Sequence, residues 1–371
     1  MIKLFRSPLA PPPLAENLAE DVVESLSETA QFILSCQRED GAIGWFQAGK
    51  LDPWDHVEAA MALTVAGYYR EALSAYTWLQ QHQRADGSWL AFYFDTVPSS
   101  WNEQGGQQAP RIESNFVAYC ATGLWHYGCV TKDWQSCTQL FPMVEAAIRF
   151  VLDLQSQDGE IQWAVAEGGG HSIARDALIT GCSSILRSLE CAIALAKQLG
   201  RDKPEWLGAY HKLAEALLHK PWRFDRTWES KARYSMDWFY PVLSGALSPT
   251  ESALRLERKW TEFVERGLGC RCVSDEPWIT IAESCELVMA LVAAGERQKA
   301  ETVHAWLDRW RDVDGSFWTG FNFRDHVIWP REKTSWTAAA YLLATDALYQ
   351  LTPGAHLFTE PSHLLFAQQG Q

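Results

Sequence analysis

Residues Thr77–Trp89 read TWLQQHQRADGSW, and the spacing of Leu79, Gln83, Gly87 and Trp89 decides the fold. The stretch predicts an amphipathic helix that ends on a glycine in the left-handed conformation, with Asp86 closing the turn. Gln83 is placed to satisfy orphan carbonyls or turn amides, and Trp89 to cover the open helix end. The pattern recurs as FILSCQREDGAIGW (32–45), FVLDLQSQDGEIQW (150–163) and AWLDRWRDVDGSFW (305–318), with Arg311 in place of the glutamine in the last. The interval between Gly159 and Gly315 has room for two degenerate copies, one ending near Lys220-Pro221-Trp222 and one at GLGCRC (267–272). Such self-similarity signals a repeat architecture.

After each turn comes a variable loop and then a helix apolar nearly all round: from His56, Arg111, Ala177, Met236, Ile279 and Ser335. Helices of that kind are buried on every side, whereas the repeat helices have charged faces. Strand-type alternation is absent over any useful length. The expectation is an all-α (α/α)6 toroid of six inner and six outer helices. Residues 1–20 would form an extended N-terminal arm, 21–352 the toroid and 353–371 a C-terminal tail.

Composition agrees with a large packed core. Of 371 residues, 47% are hydrophobic and 21% charged, which excludes disorder. A net charge of −14 argues against nucleic acid and anionic membranes as partners. No apolar stretch reaches the ~20 residues of a membrane span. The Pro-rich, acidic start lacks a secretory signal, and nine cysteines, an odd number lying mostly in apolar helices, read as free thiols of a reducing, cytoplasmic compartment. Cys270-Arg271-Cys272 has no zinc spacing, so no metal site and no cofactor is expected. Nineteen tryptophans are a large excess.

The L-x3-Q-x3-G-x-W pattern resembles the QW repeat of the squalene cyclase and protein prenyltransferase β-subunit superfamily. The C-terminal half is similar to small bacterial proteins described as prenyltransferase-like. The resemblance implies the toroid and a prenyltransferase or terpenoid cyclase acting on a prenyl diphosphate or polyprenyl chain, with Mg2+ if a diphosphate is bound. The sequence departs from that superfamily at its chemistry. The Asp-x-Asp-Asp proton donor is missing, the nearest text being Asp52-Pro-Trp-Asp55, and no Asp-x-Cys…His zinc set occurs.

Chemistry in such a barrel belongs at the mouth, where turns lead into inner helices. The candidates for catalysis there are Asp55, Asp237 and Glu283. Those for substrate binding are Asp52, Trp54, His56, Glu58, Glu113, Arg175, Trp238, Tyr240, Trp278, Trp329, Arg331, Lys333 and Trp336. Each carboxylate has a plainer reading: Asp55 with Glu58, and Thr280 with Glu283, match capping boxes. His56 and His171 read first as structural or solvated, and Arg175, Arg331 and Lys333 either meet a diphosphate or pair with the neighbouring Asp176 and Glu332. Three functions stay open. One is isoprenoid chemistry in an aromatic-lined cavity. Another is a carbohydrate-active (α/α)6 enzyme, glycosidase or epimerase, working with paired carboxylates. The third is a non-catalytic lipid or glycan binder. The partner in each case is a small molecule. Trp45, Trp89, Trp163 and Trp318 are assigned to the turns, and Trp54, Trp101, Trp238, Trp278, Trp329 and Trp336 to the mouth.

Overall fold

The repeat glutamines turn out to join neighbouring outer helices. In the computed structural model, which describes residues 20–94, 111–167 and 175–366, Gln83 Nε2 donates to the carbonyl of Gly87 (2.9 Å) and to that of Met143 on the next outer helix (2.8 Å). Gln37 does the same to Gly41 and Glu71, and Gln155 to Gly159 and Ala209. At the fourth copy Arg311 reaches Glu28 by an ion pair (3.1 Å). Asp40, Asp86 and Asp314 each accept a backbone N–H across the turn, as Asp86 does from Ser88 at 3.0 Å, and in the third copy Ser156 Oγ accepts those of Asp158 and Gly159. Trp89 is buried and donates to the Leu79 carbonyl (2.9 Å). Replacing Gln155 by Leu should cost about 1 to 2 kcal/mol, because the carbonyls it bridges lose a shared donor. A fall in urea midpoint without a change in its slope would show this; an unchanged midpoint would mean that the link is idle.

The outer helices are α1 (Glu20–Cys36), α3 (Tyr69–His82), α5 (Trp134–Asp153), α7 (Pro204–His219), α9 (Pro249–Arg258) and α12 (Arg297–Leu307). The inner ones are α2 (Pro53–Val65), α4 (Ser114–Thr131), α6 (Ile179–Gln198), α8 (Ser235–Leu243), α11 (Ile281–Ala293) and α13 (Ser335–Tyr349). Two short helices, α10 (Trp260–Phe263) and α14 (His363–Phe366), complete the described set. Each inner helix packs on the next, and α13 closes the ring on α2, so the all-α toroid is the fold. Every residue of α2 is buried, as a helix walled in on all sides requires.

The rim differs from expectation in one respect. Short antiparallel strands frame the mouth: Lys50–Leu51 pairs with Tyr93–Phe94, Arg111–Glu113 with Ala164–Ala166, and five strands between Val264 and Ile328 form a small sheet. At two or three residues each, they are too short to leave an alternating pattern in sequence. Among the described residues one helix, α6, is long and apolar enough to cross a membrane, yet most of it is buried in the ring. All nine cysteines are unpaired.

Candidate active site

All inner helices begin at the same end of the ring, and the first turns of three of them, α2, α8 and α11, present an acid in register. Asp52 caps α2: its Oδ1 accepts the Asp55 N–H (2.8 Å), its Oδ2 accepts the Trp45 indole (2.7 Å), and Pro53 takes the first helical position. The cap is therefore Asp52, and the Asp55 carboxyl, at the third helical position, does not cap but hydrogen-bonds the Asp52 carboxylate. Asp237 on α8 and Glu283 on α11 occupy that same third position. Thr280 makes no side-chain cap, so the expected capping box does not consume Glu283. Glu283 Oε2 and Asp237 Oδ1 are buried with no hydrogen-bond partner.

Three residues deeper on each helix lies a second layer: Glu58, Tyr119, Tyr240 and Glu286. This spacing keeps a residue on the same helix face. Trp54 stacks on Tyr119 (4.5 Å between centroids, 10°) and packs against Tyr240 (5.8 Å), so α2, α4 and α8 meet on the barrel axis. Glu58 Oε1 accepts from the Trp54 indole and the Tyr119 hydroxyl, each at 2.9 Å. The Tyr240 hydroxyl donates to Glu286. This floor is a closed set of aromatic and carboxyl groups.

Burial dominates the electrostatics. It pushes Asp55 well above the usual carboxylate range, and the neighbouring Asp52 and Glu58 push it further. Glu58 rises to about 7 and Glu286 well above its ordinary value, again through burial. Glu283 is raised by burial, but Thr280, its own backbone N–H and the Cys272 thiol favour its anion. Asp237 rises to about 6 through burial and the nearby Asp225. Arg255 and Lys259, from the outer layer, oppose that rise and set Asp237 apart from the acids on the axis.

The wall of the mouth alternates rings and cations. The Lys50 ammonium lies 3.7 Å from the Trp45 ring and 3.8 Å from Phe92, and Arg111 lies over Phe92 (5.4 Å) and Trp163 (5.5 Å). Arg111 also holds Glu113 at 2.7 Å. Trp45 and Trp163, assigned from sequence to bracing turns, thus stand in the site wall as well.

Several candidates lie elsewhere. His56 is fully buried between α2 and α3, its Nδ1 accepting the Ile43 N–H (3.0 Å) and its Nε2 donating to the Ala75 carbonyl (2.9 Å). Burial lowers it to about 4, so it is a neutral structural link. Trp238 faces outward, stacked on Phe263 and bonded to the Arg255 carbonyl. Lys333 is tied to Asp312 and Asp314 (2.8 and 2.7 Å) in the last repeat turn. Arg175 is exposed, and Arg331 lies in an outer groove beside Phe46. Trp278 donates to the Trp329 carbonyl (2.6 Å), and the two rings meet edge to face on the rim. Trp336, at the start of α13, approaches Glu58. His171 and Trp101 lie outside the described residues. Glu286, Tyr119 and Lys50 were missed. The signal for Glu286 was an acid in an otherwise apolar helix, one turn after Glu283.

No family model matches the chain. Among curated proteins, an MMP endo-(1,4)-3-O-methyl-alpha-D-mannosidase of Mycolicibacterium hassiacum is 44% identical over 335 residues, covering 90% of this chain and 89% of that protein. Solved structures with the same fold include a wild-type glycosidase (14% identity, TM-score 0.63, 91% of this chain and 100% of that one). Another is the GH63 mannosylglycerate hydrolase of Thermus thermophilus in complex with glucose (14%, TM-score 0.64, 86% and 99%). These findings overturn the prenyltransferase and terpenoid cyclase expectation, and the isoprenoid substrate with it. The Gln-Gly-Trp turn misled because it solves a problem of the ring, the linking of outer helices, and carries no information about what the ring encloses. With that curated relative matched along nearly its whole length, the chain belongs to the family of the endo-(1,4)-3-O-methyl-α-D-mannosidase.

Proposed function

We propose that the protein is a glycoside hydrolase that cleaves internal α-1,4 linkages of a 3-O-methylated mannan, with Asp55 as general acid and Glu283 as the second carboxylate. The observation that carries the reading is the pair itself: two buried, uncapped carboxyls at matching positions of α2 and α11 whose surroundings push them apart. Asp55, crowded by Asp52 and Glu58, keeps its proton and can deliver it to the glycosidic oxygen. Glu283, whose neighbours favour the anion, ionises first and can activate water or attack the sugar. Asp237 stays outside the pair because its charged neighbours belong to the rim and outer layer. The floor of Trp54, Tyr119 and Tyr240 supplies ring faces for a sugar, and Glu58 and Glu286 supply hydrogen-bonding groups.

The test is incubation of the protein with 3-O-methylmannose oligosaccharides, following product size by mass spectrometry. Internal cleavage supports the reading; release of single sugars only, or no release, rejects it. The pH profile adds a check with a definite sign. Asp52 raises Asp55, so Asp52→Asn, which keeps the helix cap, should move the alkaline limb of kcat/KM to lower pH. A limb that stays in place or moves upward would remove Asp55 from the role of acid.

A further inference from the structure

At the far end of the ring from the mouth, the last turns of α4 and α6 and the C-terminal segment from Pro353 to Leu364 enclose a cavity of about 330 Å³. That is within the range of small-molecule sites. Its lining is mainly apolar, with Trp125, Cys129, Ile193, Ala194, Leu357 and Leu364 among the walls. His126 lines it too, and this imidazole is buried with neither ring nitrogen partnered. Buried polar groups are ordinarily satisfied, so an orphaned one in a cavity marks a missing ligand group.

The buried charges nearby are already paired, and Lys197, also in the lining, is exposed. Arg187 binds Glu190 (2.8 Å) and the carbonyls of Glu360 (2.7 Å) and Leu243 (3.3 Å). Glu190 Oε1 accepts from the Ser362 hydroxyl (2.7 Å) and the His363 N–H (3.0 Å). Burial holds His126 at about 4, so the imidazole is neutral and offers one N–H and one lone pair. A hydroxyl, which both donates and accepts, complements it; an ionised head at the imidazole would meet no counter-charge there, Lys197 being exposed rather than buried beside His126.

We infer that this cavity is a binding site, separate from the mouth, for a small apolar alcohol whose hydroxyl meets His126 and whose hydrocarbon body fills the space beneath the C-terminal segment. A water's share of liquid volume is about 30 Å³, which gives room for roughly ten non-hydrogen atoms. Because the segment forms one wall, an occupant packs it against α4 and α6.

Titration calorimetry of the intact protein with 1-hexanol and with sodium hexanoate at pH 8 tests this, on wild type, His126→Phe and the cavity-filling Ala194→Leu. Expected are saturable binding of hexanol to wild type, binding about tenfold weaker for hexanoate and for His126→Phe, and none for Ala194→Leu. Both variants should hydrolyse oligosaccharide as the wild type does. Absence of saturable hexanol binding to wild type overturns the inference. So does equal affinity for hexanoate or for His126→Phe, which would leave an unspecific apolar void.

Discussion

Asp55→Asn should abolish hydrolysis of 3-O-methylmannose oligosaccharides almost completely, lowering kcat by about 10²- to 10⁴-fold. Asparagine keeps the size of the side chain, and the bond from the residue 55 backbone N–H to Asp52 survives, so the helix start and the fold are undisturbed. What is lost is the proton that burial and two neighbouring carboxyls keep on Asp55. Substrate binding should persist, measurable as an unchanged Kd for an oligosaccharide by calorimetry. A substrate with a dinitrophenyl leaving group needs little protonation and should lose far less than the natural linkage. Activity within tenfold of wild type, or equal losses on both substrates, would sink the assignment. Glu283→Gln on the same pair of substrates should impair both alike, because its step does not depend on the leaving group.

The second large effect concerns the ring itself. Gly159 has φ of +110°, and a Cβ there would lie 2.1 Å from the Lys212 carbonyl oxygen on α7. Gly159→Ala must therefore adopt a strained backbone and push the next outer helix away. We expect a loss of about 3 kcal/mol or more, from strain of ~1–3 kcal/mol plus the displaced packing. Gly200→Ala separates the two contributions: its φ is +66°, but a Cβ would meet nothing within 4 Å. That variant should lose only the left-handed penalty of about 1–2 kcal/mol. Equal losses in urea unfolding would mean that close helix approach is not what the repeat glycine serves.

Gly41 and Gly87 make the same kind of approach, to the carbonyls of Ser74 and Ala146, which is why the turn repeats so faithfully. Three outer helices, α1, α3 and α5, are each tied to the next by a glycine without a side chain and a glutamine with two acceptors, and at the fourth copy Gly315 and Arg311 tie α12 to α1. These are local requirements written within eleven or so residues, and they were legible one repeat at a time. The inner helices were legible for a related reason, since burial on all sides excludes charge except where charge is used.

The site was legible only in outline. Sequence placed acids at the first turns of inner helices, but it could not say which end of a short motif would cap. Asp52 took that task and left Asp55 out of the cap, while Thr280 makes no cap bond and instead faces the Glu283 carboxyl. Nor could sequence show that His56 and Trp238 point to the outer layer, a rotation of one position around a helix whose every face is apolar. Glu286 joined the floor through Tyr240, forty-six residues away in the chain.

The sequence alone determined the toroid, because the helix-ending turn and the amphipathic or apolar character of each helix are properties of neighbours along the chain. Only the tertiary structure decided which carboxyls are buried and held above their ordinary range. Their protonation depends on burial, which the packed ring supplies, and on neighbouring charges, local ones such as Asp52 and Glu58 beside Asp55 and distant ones such as Glu58 beside Glu286.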